Sequence, residues 1–288
     1  DGITRDPASV LMKAKSLRSE GISAWMYTGA YQVPTPTILG DPAKDLAMID
    51  EVIGVGEIAL SDHRSSHPDT YELIRLAAQA RVGGMLGGKA GIVNIHMGDA
   101  KDPFRPIHDA VKHSELNYKQ FFPTHINRNE YIFEDAKEYG QLGWIDITTS
   151  SYPFFKEFEI KPSVAFKQLI DAGVPPEHIT MTSDGNGSLP HFNEAGELVR
   201  LECGAPVSML YEFRDAVLEE GVEIPLALMP FTLNPANILK LKQKGRISTL
   251  MDADMVILNK ELHPEYVFAG GQIMMREGSI TRRGTYSK

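Results

Sequence analysis

The chain has 288 residues, 42% of them hydrophobic, with a formal net charge of −9 and a single cysteine, Cys203. That length allows a large core, no run is apolar enough to cross a bilayer, and spread acidity argues against nucleic acid and for a small-molecule or peptide ligand. One thiol excludes an internal disulfide framework and predicts a reducing compartment.

The opening DGITRDPAS carries no basic or apolar leader, which predicts a cytoplasmic location. From there, short apolar runs alternate with segments of helical period, the pattern of repeated βα units around a parallel sheet. Six strands are predicted in order: 23–30 (SAWMYTGA), 52–60 (VIGVGEIAL), 91–98 (GIVNIHMG), 119–126 (KQFFPTHI), 143–150 (GWIDITTS) and 178–185 (HITMTSDG). PASVLMKAKSLRSEG, DTYELIRLAAQARVGG, FEDAKEYGQ and SVAFKQLIDAG read as crossover helices, several with Pro or Asp near the start and Gly at the end. After Asn186 the sequence predicts a long helical region (PVSMLYEFRDAVLEEG, then NPANILKLKQKG). The tail ADMVILNKELHPEYVFAGGQIMMREGSI has strand and turn composition. The expected division is a barrel over 1–245 and part of a small β domain over 246–288.

In a (β/α)₈ barrel, polar residues that terminate apolar runs meet at the C-terminal mouth. Here they are Tyr31, Glu57 with Asp62, His63 and Arg64, then His96, His125 with Arg128, and Asp184 with Ser188. Imidazoles and carboxylates suit divalent zinc, and a bridging carboxylate can hold two ions about 3.5–4 Å apart. Glu57 is the candidate bridge, and Asp184, followed by a GNG turn, the candidate proton shuttle. Each residue also has a plainer reading. A lone strand-end histidine is more often structural, Glu57 could pair with an arginine, Tyr31 could pack under the rim, and Arg64 and Arg128 could be solvated. His63 could orient a neighbour. His67, His108, His113, His178, His191 and His263 fall in helices or loops and read as structural or exposed.

The series Glu57, NIHMGD, PTHINRN and TMTSDGNGS resembles the binuclear branch of the amidohydrolase superfamily, and more closely the isoaspartyl (β-aspartyl) dipeptidases. EGISAWMYTGAY, IALSDHRSS, GGMLGGKAG, IDIT and MDADMVIL extend the likeness over nearly the whole chain. The resemblance implies a TIM-like barrel with a small β-rich domain and two divalent ions, zinc first among them. It implies a dipeptide substrate, homo-oligomers, and hydrolysis of the isopeptide bond by a metal-bridging hydroxide. His96 and His125 then match the ligands of the second metal, and Asp184 a ligand of the first and the general base and acid. Tyr31 matches the carbonyl-polarising hydroxyl, and Arg64, Arg128 and Ser188 the substrate-binding groups. Rival readings are a dihydropyrimidinase-like or N-acyl amino acid deacetylase activity, or a non-catalytic scaffold.

There are two departures from the family pattern. The family's bridging lysine has no counterpart in VIGVGEIAL, where Glu57 can supply the carboxylate from a local bulge near Gly56. The family's His-x-His pair is absent, and DGITRDPAS resembles the loop after strand two, so the first strands are expected in a longer polypeptide or a separate chain.

Overall fold

The computed structural model describes residues 6–193 and 195–285; the first five residues of DGITRDPAS therefore lie outside the described residues. Helix α1 (Pro7–Ser19) begins with Pro7 at its first position and Asp6 as cap, whose side chain accepts from Ala8 N at 3.0 Å. Strand β1 (Met26–Thr28) leads to α2 (Pro42–Met48) and then to β2 (Val52–Leu60), whose span is the predicted one. Helix α3 (Thr70–Gly87) opens with a reciprocal capping box between Asp69 and Glu72 and closes on Gly88 in a left-handed conformation. Strand β3 (Ile92–Met97), α4 (Arg105–Lys112), β4 (Phe121–Thr124), α5 (Glu130–Leu142), β5 (Ile145–Thr148), α6 (Pro162–Asp171) and β6 (Ile179–Thr182) continue the alternation.

Strands β1 to β4 form one parallel sheet in sequence order, and β5 and β6 pair in parallel beside them. The ends of β4 and β5 are tied where Ile126 N donates to Asp146 O at 3.3 Å. Asp146, 1% exposed on β5, accepts from Thr124 of β4 at 2.6 Å and from Thr180 and Thr182 of β6 at 2.5 and 2.7 Å. One buried carboxylate thus binds three hydroxyls, of which those of the buried Thr124 and Thr180 would otherwise cost stability. Side chains of all six strands contribute to one principal core with the faces of α3 to α6, among them Val55, Ile95, Phe121, Ile147 and Phe166.

The helical region expected after Asn186 instead begins with an antiparallel hairpin of β7 (Ser188–Phe192) and β8 (Leu198–Cys203). Short helices α7 (Ser208–Leu218), α8 (Ile224–Leu228) and α9 (Leu233–Ile238) follow. The tail forms the expected strands, an antiparallel sheet of β9 (Met255–Leu258), β10 (Pro264–Ala269), β11 (Gln272–Arg276) and β12 (Ser279–Ile280). No helix among the described residues is long and apolar enough to cross a membrane.

Candidate metal centre

Tyr31 follows β1, Glu57 and Asp62 lie in and just beyond β2, His96 lies in β3, His125 follows β4, Thr148 ends β5 and Asp184 follows β6. The C-terminal ends of successive strands therefore converge. Donor atoms of Glu57, His96 and His125 lie within 4.8 Å of one another. Glu57 Oε1 is 3.3 Å from His96 Nδ1 and 3.0 Å from His125 Nε2, and the two rings meet edge to face with centroids 4.6 Å apart.

A bulge puts Glu57 there. Val55 pairs with Val93 and Ile58 with Ile95, so Gly56 and Glu57 together oppose Asn94. Gly56 has φ +153°, and a Cβ on it would meet Asn94 Cβ and O at 2.9 Å. Only glycine allows that close approach. His125 and Asp184 both take left-handed backbone, at φ +64° and +47°, conformations that cluster at functional sites.

The electrostatics favour a cation. Burial raises the Glu57 carboxyl's pKa, but His125 and His96 outweigh it and hold the group well below its ordinary range. Burial, then the neighbouring His96, brings His125 down to about 4, so this imidazole is neutral near pH 7. A neutral ring has one N–H. His125 Nδ1 lies 2.6 Å from Thr148 Oγ1, and His96 Nε2 lies 3.2 Å from Asp62 Oδ2. With a cation between them, the inward nitrogens His125 Nε2 and His96 Nδ1 would turn lone pairs to it beside the Glu57 carboxylate, each ring keeping its outer nitrogen for Thr148 or Asp62. A carboxylate oxygen and two imidazole nitrogens meeting at one point fit a divalent ion of the zinc type.

Glu57 has imidazole partners rather than the arginine of its plainer reading. Tyr31, 7% exposed, packs its ring 4.8 Å from that of His96, with its hydroxyl 3.4 Å from Nδ1. Burial, then the charge of Glu57, pushes its phenol up to about 12. Arg64 and Arg128 are not free surface charges. Arg64 forks onto Asp62 at 2.9 and 3.0 Å, and Arg128 bonds Met97 O at 2.9 Å and lies 3.6 Å from Asp62. Asp184 stands outside the 4.8 Å cluster, although burial and then Glu57 raise it to about 6. Ser188 is exposed at the start of β7, and no hydrogen bond among the described residues ties its hydroxyl to the cluster. His63 points outward, 3.6 Å from Asp62. Sequence reasoning missed Thr148, whose only signal is its place at the end of IDIT, and gave Asp62 no role.

No family model matches the sequence. Among solved structures, the chain resembles a beta-aspartyl dipeptidase from the thermophilic keratin-degrading Fervidobacterium islandicum AW-1, crystallised in complex with the dipeptide beta-Asp-Leu. Identity is 38% with a TM-score of 0.90, covering 99% of this chain and 75% of that one. A second structure of beta-aspartyl dipeptidase from that organism aligns at 35% identity and TM-score 0.87, over 99% and 73% of the two chains. A D-hydantoinase at 17% identity and TM-score 0.57, over 99% and 77%, is similar in fold.

Proposed function

The chain belongs to the beta-aspartyl dipeptidase family, and from that premise we propose that it hydrolyses the isopeptide bond of β-aspartyl dipeptides with divalent cations, zinc by donor type. The observation that carries the reading is the meeting of a Glu57, His96 and His125 donor set with two guanidiniums at one rim. On this reading the six parallel strands belong to a barrel spanning 1–245, and 246–288 belong to a small β domain.

Glu57, His96 and His125 would hold one ion, and Asp184 with Glu57 a second. Bound there, the ions would supply Lewis acidity and lower the pKa of water. Arg64 and Arg128 hold the carboxylates of the dipeptide, since two guanidinium forks match a substrate with two such groups. Ser188 lies on the hairpin beyond Asp184 and serves as a further polar contact. Tyr31 is protonated at neutral pH and donates toward oxyanion charge that develops on the scissile carbonyl. Asp184 is partly shielded from water, which suits it to accept a proton and return it to the leaving amine. The products are aspartate and a free amino acid. We further read the protein as a cytoplasmic homo-oligomer, a point that light scattering tests.

The test compares the zinc-loaded protein on β-Asp-Leu, a hydantoin and an N-acetyl amino acid. Turnover of β-Asp-Leu at a kcat/KM at least tenfold above both others is expected. Preference for either rival, or turnover of none, would overturn the assignment.

A further inference from the structure

Asp62 is a buried acid at the rim to which the proposed chemistry gives neither metal nor substrate. It is 3% exposed and lies two residues past the end of β2. Gly98 N donates to Leu60 O and Ala100 N to Ser61 O, both at 2.9 Å, and Ser61 Oγ bonds Pro103 O at 2.8 Å. A Cβ on Gly98 would fall 2.3 Å from Asp62 Cα, so the two strand ends are in tight contact. The carboxylate therefore sits on a fixed backbone.

Its two oxygens divide the work. Oδ1 accepts from Arg64 N at 2.7 Å and Arg64 Nε at 2.9 Å. Oδ2 lies 3.0 Å from Arg64 Nη2, 3.2 Å from His96 Nε2 and 3.6 Å from Arg128 Nη1. Arg64 Nη2 also approaches His96 Nε2 to 2.7 Å. A guanidinium N–H can only donate, so Nε2 of His96 is enclosed by the Arg64 fork at 2.7 Å on one side and by Oδ2, which holds that fork, at 3.2 Å on the other. Held from that side by Asp62 and Arg64, the ring turns Nδ1 toward Glu57 at 3.3 Å.

We propose that Asp62 is a positioning residue that aims two groups at once, the metal ligand His96 and the substrate fork Arg64. The inference rests on the function proposed above. A carboxylate behind a ligating histidine orients the ring and raises its basicity. A bidentate carboxylate behind a guanidinium fixes its plane, leaving its remaining N–H groups for an incoming anion. Cation affinity and carboxylate recognition would then depend on one side chain.

Asp62→Asn tests it in the full chain. Asparagine keeps the volume but offers one acceptor oxygen where donors press on both sides, so neither amide orientation satisfies them. We expect zinc affinity, read by competition with a chromogenic chelator, to fall about 10- to 100-fold. The KM for β-Asp-Leu should rise at least tenfold while kcat at saturating zinc and substrate stays within threefold. A purely structural Asp62 would lower the melting temperature yet leave both constants of the folded protein unchanged. Zinc affinity or KM within twofold of the parent overturns the inference. A parent protein that binds zinc but does not cleave β-Asp-Leu defeats the function instead. Should the variant fail to fold, ¹⁵N-histidine spectra of the zinc-loaded parent decide: His96 protonated at Nε2 supports the proposal, and protonation at Nδ1 overturns it.

Discussion

Tyr31 and Glu57 differ in what their removal should do. Tyr31→Phe deletes one donor while keeping the ring against His96, so turnover should fall by about 10²-fold, the usual scale for an oxyanion donor, with zinc affinity unchanged. Equal turnover would remove Tyr31 from the chemistry. Glu57→Gln instead replaces an ionised acceptor that faces both imidazoles, so bound metal, measured by atomic emission, should drop together with turnover. Retained stoichiometry would mean that the oxygen is not a ligand. Both residues could be picked out in the sequence, Tyr31 as a polar side chain just past an apolar strand and Glu57 as a charge inside one. Thr148 could not, since it acts on His125 through a hydrogen bond between residues 23 apart, and a threonine in a strand is ordinary. Asp62 could be seen but not interpreted, because its meaning lies in which donors surround it.

Elements were legible where periodicity and punctuation agreed. The six parallel strands follow from short apolar runs ending in polar residues, and α3 from Asp near its start and Gly at its end. The bulge at Gly56 follows from the glycine before a buried acid, and Gly56→Ala should push β2 off β3, costing about 2 kcal/mol or more; an unchanged urea midpoint would contradict the contact. The β7–β8 hairpin was not legible. Leu189 alone of its large apolar residues is buried, while Phe192, Leu198, Val199 and Leu201 are exposed, so they do not alternate as a half-buried strand does. The three threonines bound to Asp146 were equally silent, because their hydroxyls meet only after three strands align. Asp146→Ala would leave all three hydroxyls without that acceptor and should cost about 2–4 kcal/mol. The loop between β5 and α6 carries Glu159, which accepts from Ser151 at 2.7 Å and is raised to about 7 by burial. An unfolded glutamate titrates near about 4.3. Between that pH and about 7 the folded protein keeps a proton that the unfolded chain has lost, so stability falls as pH rises through the window. Glu159→Gln should flatten that slope in urea midpoints taken from about pH 4.5 to about pH 7.5; an unaltered slope would mean that Glu159 is solvated.

At the scale of the molecule, the cation would be a tie between strands. Glu57, His96 and His125 come from β2, from β3 and from just beyond β4, and Thr148 on β5 backs His125. Unfolding separates these donors, so an ion bound to them stabilises the folded state by mass action. At free zinc about 100 times its Kd the gain is about 2.7 kcal/mol, or roughly 5–10 °C in melting temperature for a chain of this size. Removing zinc with a chelator should therefore lower the melting temperature by that order, and re-addition should restore it. Glu57→Gln should abolish most of the difference, because the shared oxygen is what lets one ion engage all three strands. The cluster lies where four strands of separate sequence origin end, so loss of the ion should loosen that rim before the opposite ends of the strands. Hydrogen exchange can read this directly: amides at 58–62 and 96–98 should exchange faster without zinc, while those of Val52 and Ile92 at the far ends keep their protection. A melting temperature indifferent to chelation, with uniform exchange, would show that the three donors meet without sharing an ion.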